Sequence, residues 1–227
     1  SMKTMPGQRV TRHELPRLYA IADLDFAGTL AAFTTLIAHL AGAARLHPSQ
    51  LAIQVRARQA SSTRLATVAR LSREAVGDEA LLVLNGPDTL ALELGYDGVH
   101  WPEAAVPDRP PEPNALRFRS AAAHSIEAAF RAQRASATAV LYGPVFAPTW
   151  KASKPAGLAA LRETAAASPL PIYALGGIDP SRVPGCLDAG AHGVAVLSGI
   201  SAAADPVAAS RRYLAAIKHR EQPPSPE

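Results

Sequence analysis

Residues 171–199 read PIYALGGIDPSRVPGCLDAGAHGVAVLSG, and the fold can be worked outward from them. The run 171–175 is short and apolar and stops at Gly176-Gly177, the punctuation expected where a strand gives way to a turn. Asp179 then offers an acceptor to first-turn amides, and Pro180 stands at the helical position that has no amide partner to lose. A helix over 180–189 follows, and Gly190 suits its end. A second apolar run, 193–197, closes on Ser198-Gly199. Strand, helix and strand within about 30 residues form one βα unit returning to a parallel neighbour.

The same alternation runs through the rest of the chain without a tandem repeat. Strands are expected at 18–24, 51–55, 80–84, 98–101, 115–119, 138–142, 171–175 and 193–197. Helices are expected at 27–41, 61–73, 87–95, 125–134, 156–167, 180–189 and 206–218, with only a poor helical segment after the fourth strand. An open dinucleotide-binding sheet would place G-x-G-x-x-G directly after a strand, and no such turn occurs. Eight short strands therefore predict a single-domain α/β fold, a (βα)8 TIM barrel spanning the 227 residues with its core at about 16–218.

Composition narrows the function. With 48% apolar and 19% charged residues the chain can build one substantial core, and its one cysteine, Cys186, excludes an internal disulfide framework. Cys186 sits in a helical segment and is expected to be buried rather than nucleophilic. The net charge of +4 is not gathered into a stripe, so no nucleic-acid partner is expected. The apolar runs fall short of a bilayer span, which leaves a cytoplasmic protein with no membrane partner as the expectation. The sequence leaves the number of copies in an assembly open.

Polar residues at strand ends carry the chemistry. Alternation puts Gln54, Arg56 and Arg58 on one side of the second strand and its continuation, where guanidinium groups can hold a carboxylate or phosphate, or close a salt bridge at the rim. Asn85 ends the third strand and can orient an uncharged ring; His100 and Glu103 follow from the fourth. Ser125 can cap the next helix, leaving His124 before its N-terminus as a candidate proton carrier or a local hydrogen-bonding group. Thr149, Lys151 and Lys154 lie in the loop after the sixth strand, with Lys154 the first choice for an anion contact. Gly176, Gly177, Ser198 and Gly199 end the last two strands, where backbone amides and one hydroxyl can approach a phosphate; tight barrel closure is the plainer account of the same glycines.

Seven segments in order, IQVRAR (53–58), LNGPDTLAL (84–92), YDGVHWPE (96–103), HSIEAA (124–129), LYGPVFAPTWKASK (141–154), IYALGGI (172–178) and GVAVLSGI (193–200), resemble the thiamine phosphate synthase/TenI family over roughly residues 16–218. The resemblance implies a TIM barrel and one of two activities. Synthases of the family join a hydroxymethylpyrimidine pyrophosphate to a thiazole phosphate, release pyrophosphate and use Mg²⁺ held by two acids. Here Gly86 stands where the first acid is expected, and Glu103, Ala104 and Ala105 surround the second. The TenI-like thiazole tautomerases work on a thiazole carboxylate phosphate without a metal, and Asn85-Gly86, Pro102 and His124-Ser125 match that branch, with Ala122 in place of its serine.

These departures make a tautomerase the leading expectation, an isomerase with no cofactor and a phosphorylated thiazole as its small-molecule partner. His124 would be the catalytic acid/base; Gly176, Gly177, Ser198 and Gly199 would bind phosphate; and Arg56, Arg58, Asn85, Thr149 and Lys154 would contact substrate, with no residue holding a metal. The alternatives are a synthase with Mg²⁺ held by Glu103 and water, a non-catalytic or regulatory phosphate-binding barrel, and a barrel enzyme for another phosphorylated ring.

Overall fold

A computed structural model describes residues 7–147 and 154–221. Each expected strand has a counterpart: β1 Leu18–Asp23, β2 Leu51–Arg56, β3 Leu81–Leu84, β4 Gly98–Trp101, β5 Phe118–Ala123, β6 Ala139–Tyr142, β7 Ile172–Leu175 and β8 Gly193–Val196. All pair in parallel with their successors, and β8 pairs with β1, so the sheet closes into a barrel. The surrounding α-helices are α1 Leu24–Ala27, α2 Leu30–Leu46, α3 Ser62–Ala75, α4 Asp88–Leu94, α5 Ile126–Arg134, α6 Gly157–Ala167, α7 Val183–Asp188, α8 Ser198–Ser201 and α9 Pro206–Glu221. Among the described residues, no helix is long and apolar enough to cross a membrane.

The strands are buried on both faces, and alternation sorts their side chains into two layers. Tyr19, Ile21, Ala52, Leu81, Val83, Phe118, Leu141 and Tyr173 fill the barrel interior, which Val10 and Leu15 continue. Leu18, Leu51, Ile53, Val55, Leu82 and Val140 face outward onto helical side chains such as Phe33, Ile37 and Leu40 of α2. Each fully buried aliphatic side chain contributes about 1.5–3 kcal/mol relative to exposure.

Local chemistry explains the helix starts. Thr29 accepts from the Ala32 amide ahead of α2, Ser61 from Arg64 ahead of α3, and Ser125 from Ala128 ahead of α5. Asp205 accepts from Ala208 at the start of α9. Asp179 caps as expected, but it caps a 3-10 turn, Pro180–Arg182, that leads into α7.

Some boundaries differ from the sequence reading: the helix expected at 27–41 is α2 Leu30–Leu46, preceded by the single turn α1 Leu24–Ala27. The fifth strand, expected at 115–119, occupies Phe118–Ala123. Ser120 and three alanines have little intrinsic strand preference, but the barrel supplies it: Ala121 and Ala123 pack outward in the layer shared with Ala128, Ala129 and Ala132 of α5. After β4 only the 3-10 turn Glu103–Ala105 forms before β5. Side chains cover that gap. Arg119, with a side chain 2% exposed, lies 5.1 Å from the Trp101 ring centroid, brings Nη1 to 2.7 Å from the Asp88 carboxylate and donates through Nε to Asn114 Oδ1 at 3.1 Å. The Asp88 contact is an ion pair without the alignment of a hydrogen bond, and the Nη2 group is buried without a partner among the described residues.

Candidate active site

The strand C-termini form one rim, and most of the singled-out polar residues stand on it. The register pairs Asp23 with Arg56 at the ends of β1 and β2. Arg56 places Nε 2.7 Å and Nη2 2.6 Å from Asp23 Oδ2, while Asp23 Oδ1 accepts from the Asp25 amide at 2.9 Å. Asp23 thus starts α1 and clamps Arg56 together. Its side chain is 5% exposed and that of Arg56 24%. Arg58, two residues further, is exposed. Sequence reading placed both arginines and missed Asp23, whose only local signal is its position at the end of an apolar strand.

A polar chain crosses the barrel below this rim. Asn85 Nδ2 donates to Gln54 Oε1 at 3.3 Å, and Gln54 Nε2 donates to the Tyr19 hydroxyl at 3.0 Å. Tyr19 lies 2.9 Å from Ser120 Oγ, which lies 2.8 Å from His100 Nδ1. Either hydroxyl can donate between Tyr19 and Ser120, and the tautomer of His100 sets the direction of the Ser120–Nδ1 bond. The surroundings of His100 favour its neutral form. Burial, with the positive charges of Arg56 and Arg58, pushes its pKa down to about 3. Burial also raises Tyr19 to about 12.

His124 follows β5 directly, immediately before the Ser125 cap. Its side chain is 64% exposed. The Glu103 carboxylate accepts from the His124 backbone N–H at 2.9 Å and also meets ring Nδ1. Arg131 of α5 donates to the Glu103 carbonyl at 2.6 Å, so this turn is fixed from both sides.

On β7 and β8, Gly176 and Gly177 have φ of +104° and +63°, a region that favours glycine. A Cβ on Gly177 would lie 2.9 Å from Phe146 Cβ, and one on Gly199 would lie 2.1 Å from the Tyr213 hydroxyl. Arg182 donates to the Gly177 carbonyl at 2.6 Å, and its guanidinium sits 4.5 Å from the Phe146 ring centroid. Backbone conformation at Gly176 and Gly177, and close packing at Gly177 and Gly199, account for these glycines. Ser198 and Gly199 are exposed and open α8 instead of ending β8 as a loop. Lys154 is exposed in the segment before α6, which is tied to the loop after β6 by Ala156 N–H donating to the Pro144 carbonyl at 2.8 Å. Thr149 and Lys151 lie outside the described residues. The Cys186 thiol is buried and pushed up to about 11, which leaves it unreactive.

A family model described as thiamine monophosphate synthase matches residues 31–200. The chain belongs to this thiamine monophosphate synthase family. The thiamine-phosphate synthase of Anaeromyxobacter dehalogenans (strain 2CP-C) is 37% identical over 175 residues, 74% of this chain and 77% of that protein. The match to the thiamine-phosphate synthase of Synechococcus sp. (strain WH7803), 37% identical over 138 residues, spans 60% of this chain but 39% of that relative's length. The structure of thiamine phosphate pyrophosphorylase from Pyrococcus furiosus superimposes with a TM-score of 0.73 at 24% identity, covering 93% of this chain and 99% of that one, a likeness of fold.

The relatives overturn the tautomerase expectation, because proteins more than one third identical over most of the chain are named thiamine-phosphate synthases. That expectation rested on a few short motif differences around Gly86, Pro102 and His124, whereas the likeness to synthases extends along the barrel. Among the described residues, no three His, Cys, Asp or Glu side chains stand where they could share a metal ion. Glu103, the acid expected to serve in a synthase, is engaged with His124.

Proposed function

We propose that this protein is a transferase that joins a pyrimidine carrying a methylene diphosphate to a thiazole phosphate. The new bond to the methylene carbon forms as its bond to the diphosphate oxygen breaks, and pyrophosphate leaves. The observation that carries this reading is the 37% identity over three quarters of the chain to a protein named thiamine-phosphate synthase.

The rim residues supply roles for both substrates. Asn85 and Gln54, linked at 3.3 Å and locked from below by Tyr19, would present a fixed amide pattern to a polar ring. Gly176, Gly177, Ser198 and Gly199 would take the thiazole phosphate through amides and a hydroxyl. Arg56, Arg58, Lys154 and Thr149 would meet the diphosphate. Coupling moves no proton on or off carbon in the way a tautomerisation does. His124 would therefore act as a hydrogen-bond donor to the departing oxygens, with Glu103 holding its ring. Placement of two reactants supplies much of the acceleration of such a displacement. The partners are phosphorylated small molecules.

The test supplies pyrimidine diphosphate and thiazole phosphate together, with and without Mg²⁺, and measures thiamine phosphate and pyrophosphate. Equal amounts of both products are expected. Absence of both products under every condition would reject the reading.

A further inference from the structure

The end of the barrel opposite the rim carries a second polar surface. The strands run parallel, so Arg17, just before β1, and His192, just before β8, both stand where strands begin. The six residues of β1 put about 15–20 Å between this floor and the rim. Residues 10–15 cross the floor. Val10 and Leu15 sink into the interior layer, and the Val10 amide donates to the Arg117 carbonyl at 3.0 Å. Between these anchors a 3-10 turn, Arg12–Glu14, is closed by the Thr11 amide and hydroxyl, which donate to the Glu14 carboxylate at 2.7 and 2.9 Å. A turn pinned on both sides nevertheless presents Arg12 and His13 to solvent.

These two side chains border a cleft of about 280 Å³ whose other walls are Leu15, Arg17, Ala191 and His192, and none of its lining residues is acidic. One wall is fixed. Arg17 donates through Nη1 to the His192 carbonyl at 3.0 Å and places Nε 2.6 Å from the Glu221 carboxylate, while His192 Nε2–H donates to the Leu15 carbonyl at 3.1 Å. The amides of Gly190, Ala191 and His192 donate to the carbonyls of Leu187, Cys186 and Ile172, so this wall reads a ligand through side chains and not through the backbone. The other wall is held in reserve: among the described residues, Arg12 and His13 form no ion pair. Burial lowers the pKa of His192, and the positive charges of Arg17 and Arg12 act in the same direction, so both guanidinium groups are felt inside the cleft.

Guanidinium groups reaching in from two walls suit an oxyanion with more than two acceptor atoms. A phosphoryl group offers three terminal oxygens and can accept from both arginines and an imidazole together, where a carboxylate offers two. Leu15 and Ala191, both buried, add an apolar surface beside the cations. We propose that this floor cleft is a second anion site that binds a phosphoryl group, free or carried on a small organic ester, between Arg12, His13 and Arg17. The site stands apart from the coupling reading, whose described residues all lie at the other end of the strands.

NMR of the imidazole resonances of the whole protein, titrated with inorganic phosphate at constant pH and ionic strength, tests the proposal. The His13 resonance, assigned by its loss in His13→Gln, should shift saturably. Arg12→Gln should weaken the midpoint at least about tenfold, the loss expected for a charge-assisted hydrogen bond, while Arg58→Gln at the rim should leave it unchanged. Circular dichroism checks that each variant is folded. Tighter binding of glycerol 3-phosphate than of inorganic phosphate would support the site and assign the surface of Leu15 and Ala191 to the organic part of an ester; equal binding would support it as a site for phosphate itself. No saturable shift, an equal shift with chloride, or a midpoint that follows Arg58→Gln and not Arg12→Gln would overturn the proposal.

Discussion

The β7–β8 side of the rim and the β4–β5 side are built by opposite means. At β7 and β8 the backbone does the shaping: Gly176 and Gly177 adopt positive φ, and Gly199 admits Tyr213, whose hydroxyl donates to the Ile178 carbonyl at 2.7 Å. At β4 and β5 side chains do it: Arg119, Trp101 and Asp88 cover the place where a helix is missing, and Glu103 anchors His124. A backbone-built wall depends on the absence of side chains at fixed positions. A side-chain-built wall depends on partners far apart in sequence, and removing one partner strands another.

The largest effect is therefore expected on the β4–β5 side. Arg119→Ala removes the stack on Trp101 and leaves Asp88 without its cation, and breaking a buried pair in this way costs about 3–5 kcal/mol. Urea unfolding should show the loss as a lower midpoint. Arg119→Met should cost less, because it keeps apolar volume over Trp101 even though Asp88 stays unpaired. Equal losses would mean that the charge, and not the filling of the gap, holds this wall.

Acid should act on the same region. His100, at the end of the chain that runs from Asn85 through Gln54, Tyr19 and Ser120, has its pKa lowered from 6.5 to about 3 by burial and the neighbouring arginines. The unfolded chain binds its proton below about pH 6.5 while the native protein does not. The stabilisation from neutral His100 is full above that pH and is lost as pH falls from about 6.5 to about 3. The ceiling is on the order of 5 kcal/mol at about 1.36 kcal/mol per pKa unit. Unfolding titrations should show this slope, and His100→Gln should flatten it. An unchanged slope in the variant would place the acid sensitivity elsewhere.

On the β7–β8 side the expected effect is smaller. Gly199→Ala puts a methyl 2.1 Å from the Tyr213 hydroxyl, so the ring must move and its bond to Ile178 must weaken. Overpacking of this kind costs about 1–3 kcal/mol. Thermal unfolding should register it, and phosphate affinity should fall with it if Gly199 also lies under the ligand. A stability change without an affinity change would assign Gly199 to packing alone.

This contrast also explains what could be read from the chain. Gly176-Gly177, Asp179-Pro180 and Ser198-Gly199 announce turns and helix starts through their own backbone preferences, so seven βα units and the barrel were legible. β5 was displaced because Ser120 to Ala123 acquire their strand conformation from neighbours. At the site, alternation placed Arg56 and Arg58, but the Asp23 clamp and the Tyr19–Ser120–His100 chain join residues up to 101 positions apart. No local pattern encodes such pairings. The activity was misjudged for a related reason, since differences at Gly86 and Ala105 outweighed a likeness spread thinly over the whole barrel.

The smallest expected effect sharpens the comparison at His124. Ser125 accepts from the Ala128 amide at 3.1 Å, and Ser125→Ala should cost about 1 kcal/mol by leaving a first-turn donor of α5 without its partner. His124 immediately precedes that cap, but its backbone and ring are also held by Glu103. If the Glu103 anchor dominates, Ser125→Ala will lower the unfolding midpoint slightly while pyrophosphate affinity and the rate of thiamine phosphate formation stay near normal. Glu103→Gln should do the reverse: the amide oxygen can still accept from the backbone, so stability changes little, but the charge facing the imidazole is gone and turnover falls. NMR of the imidazole resonances in each variant separates the two, because only loss of the carboxylate changes the partner of Nδ1. A Ser125→Ala protein that loses turnover as severely as Glu103→Gln would show that helix α5, and not the Glu103 side chain, sets the position of His124.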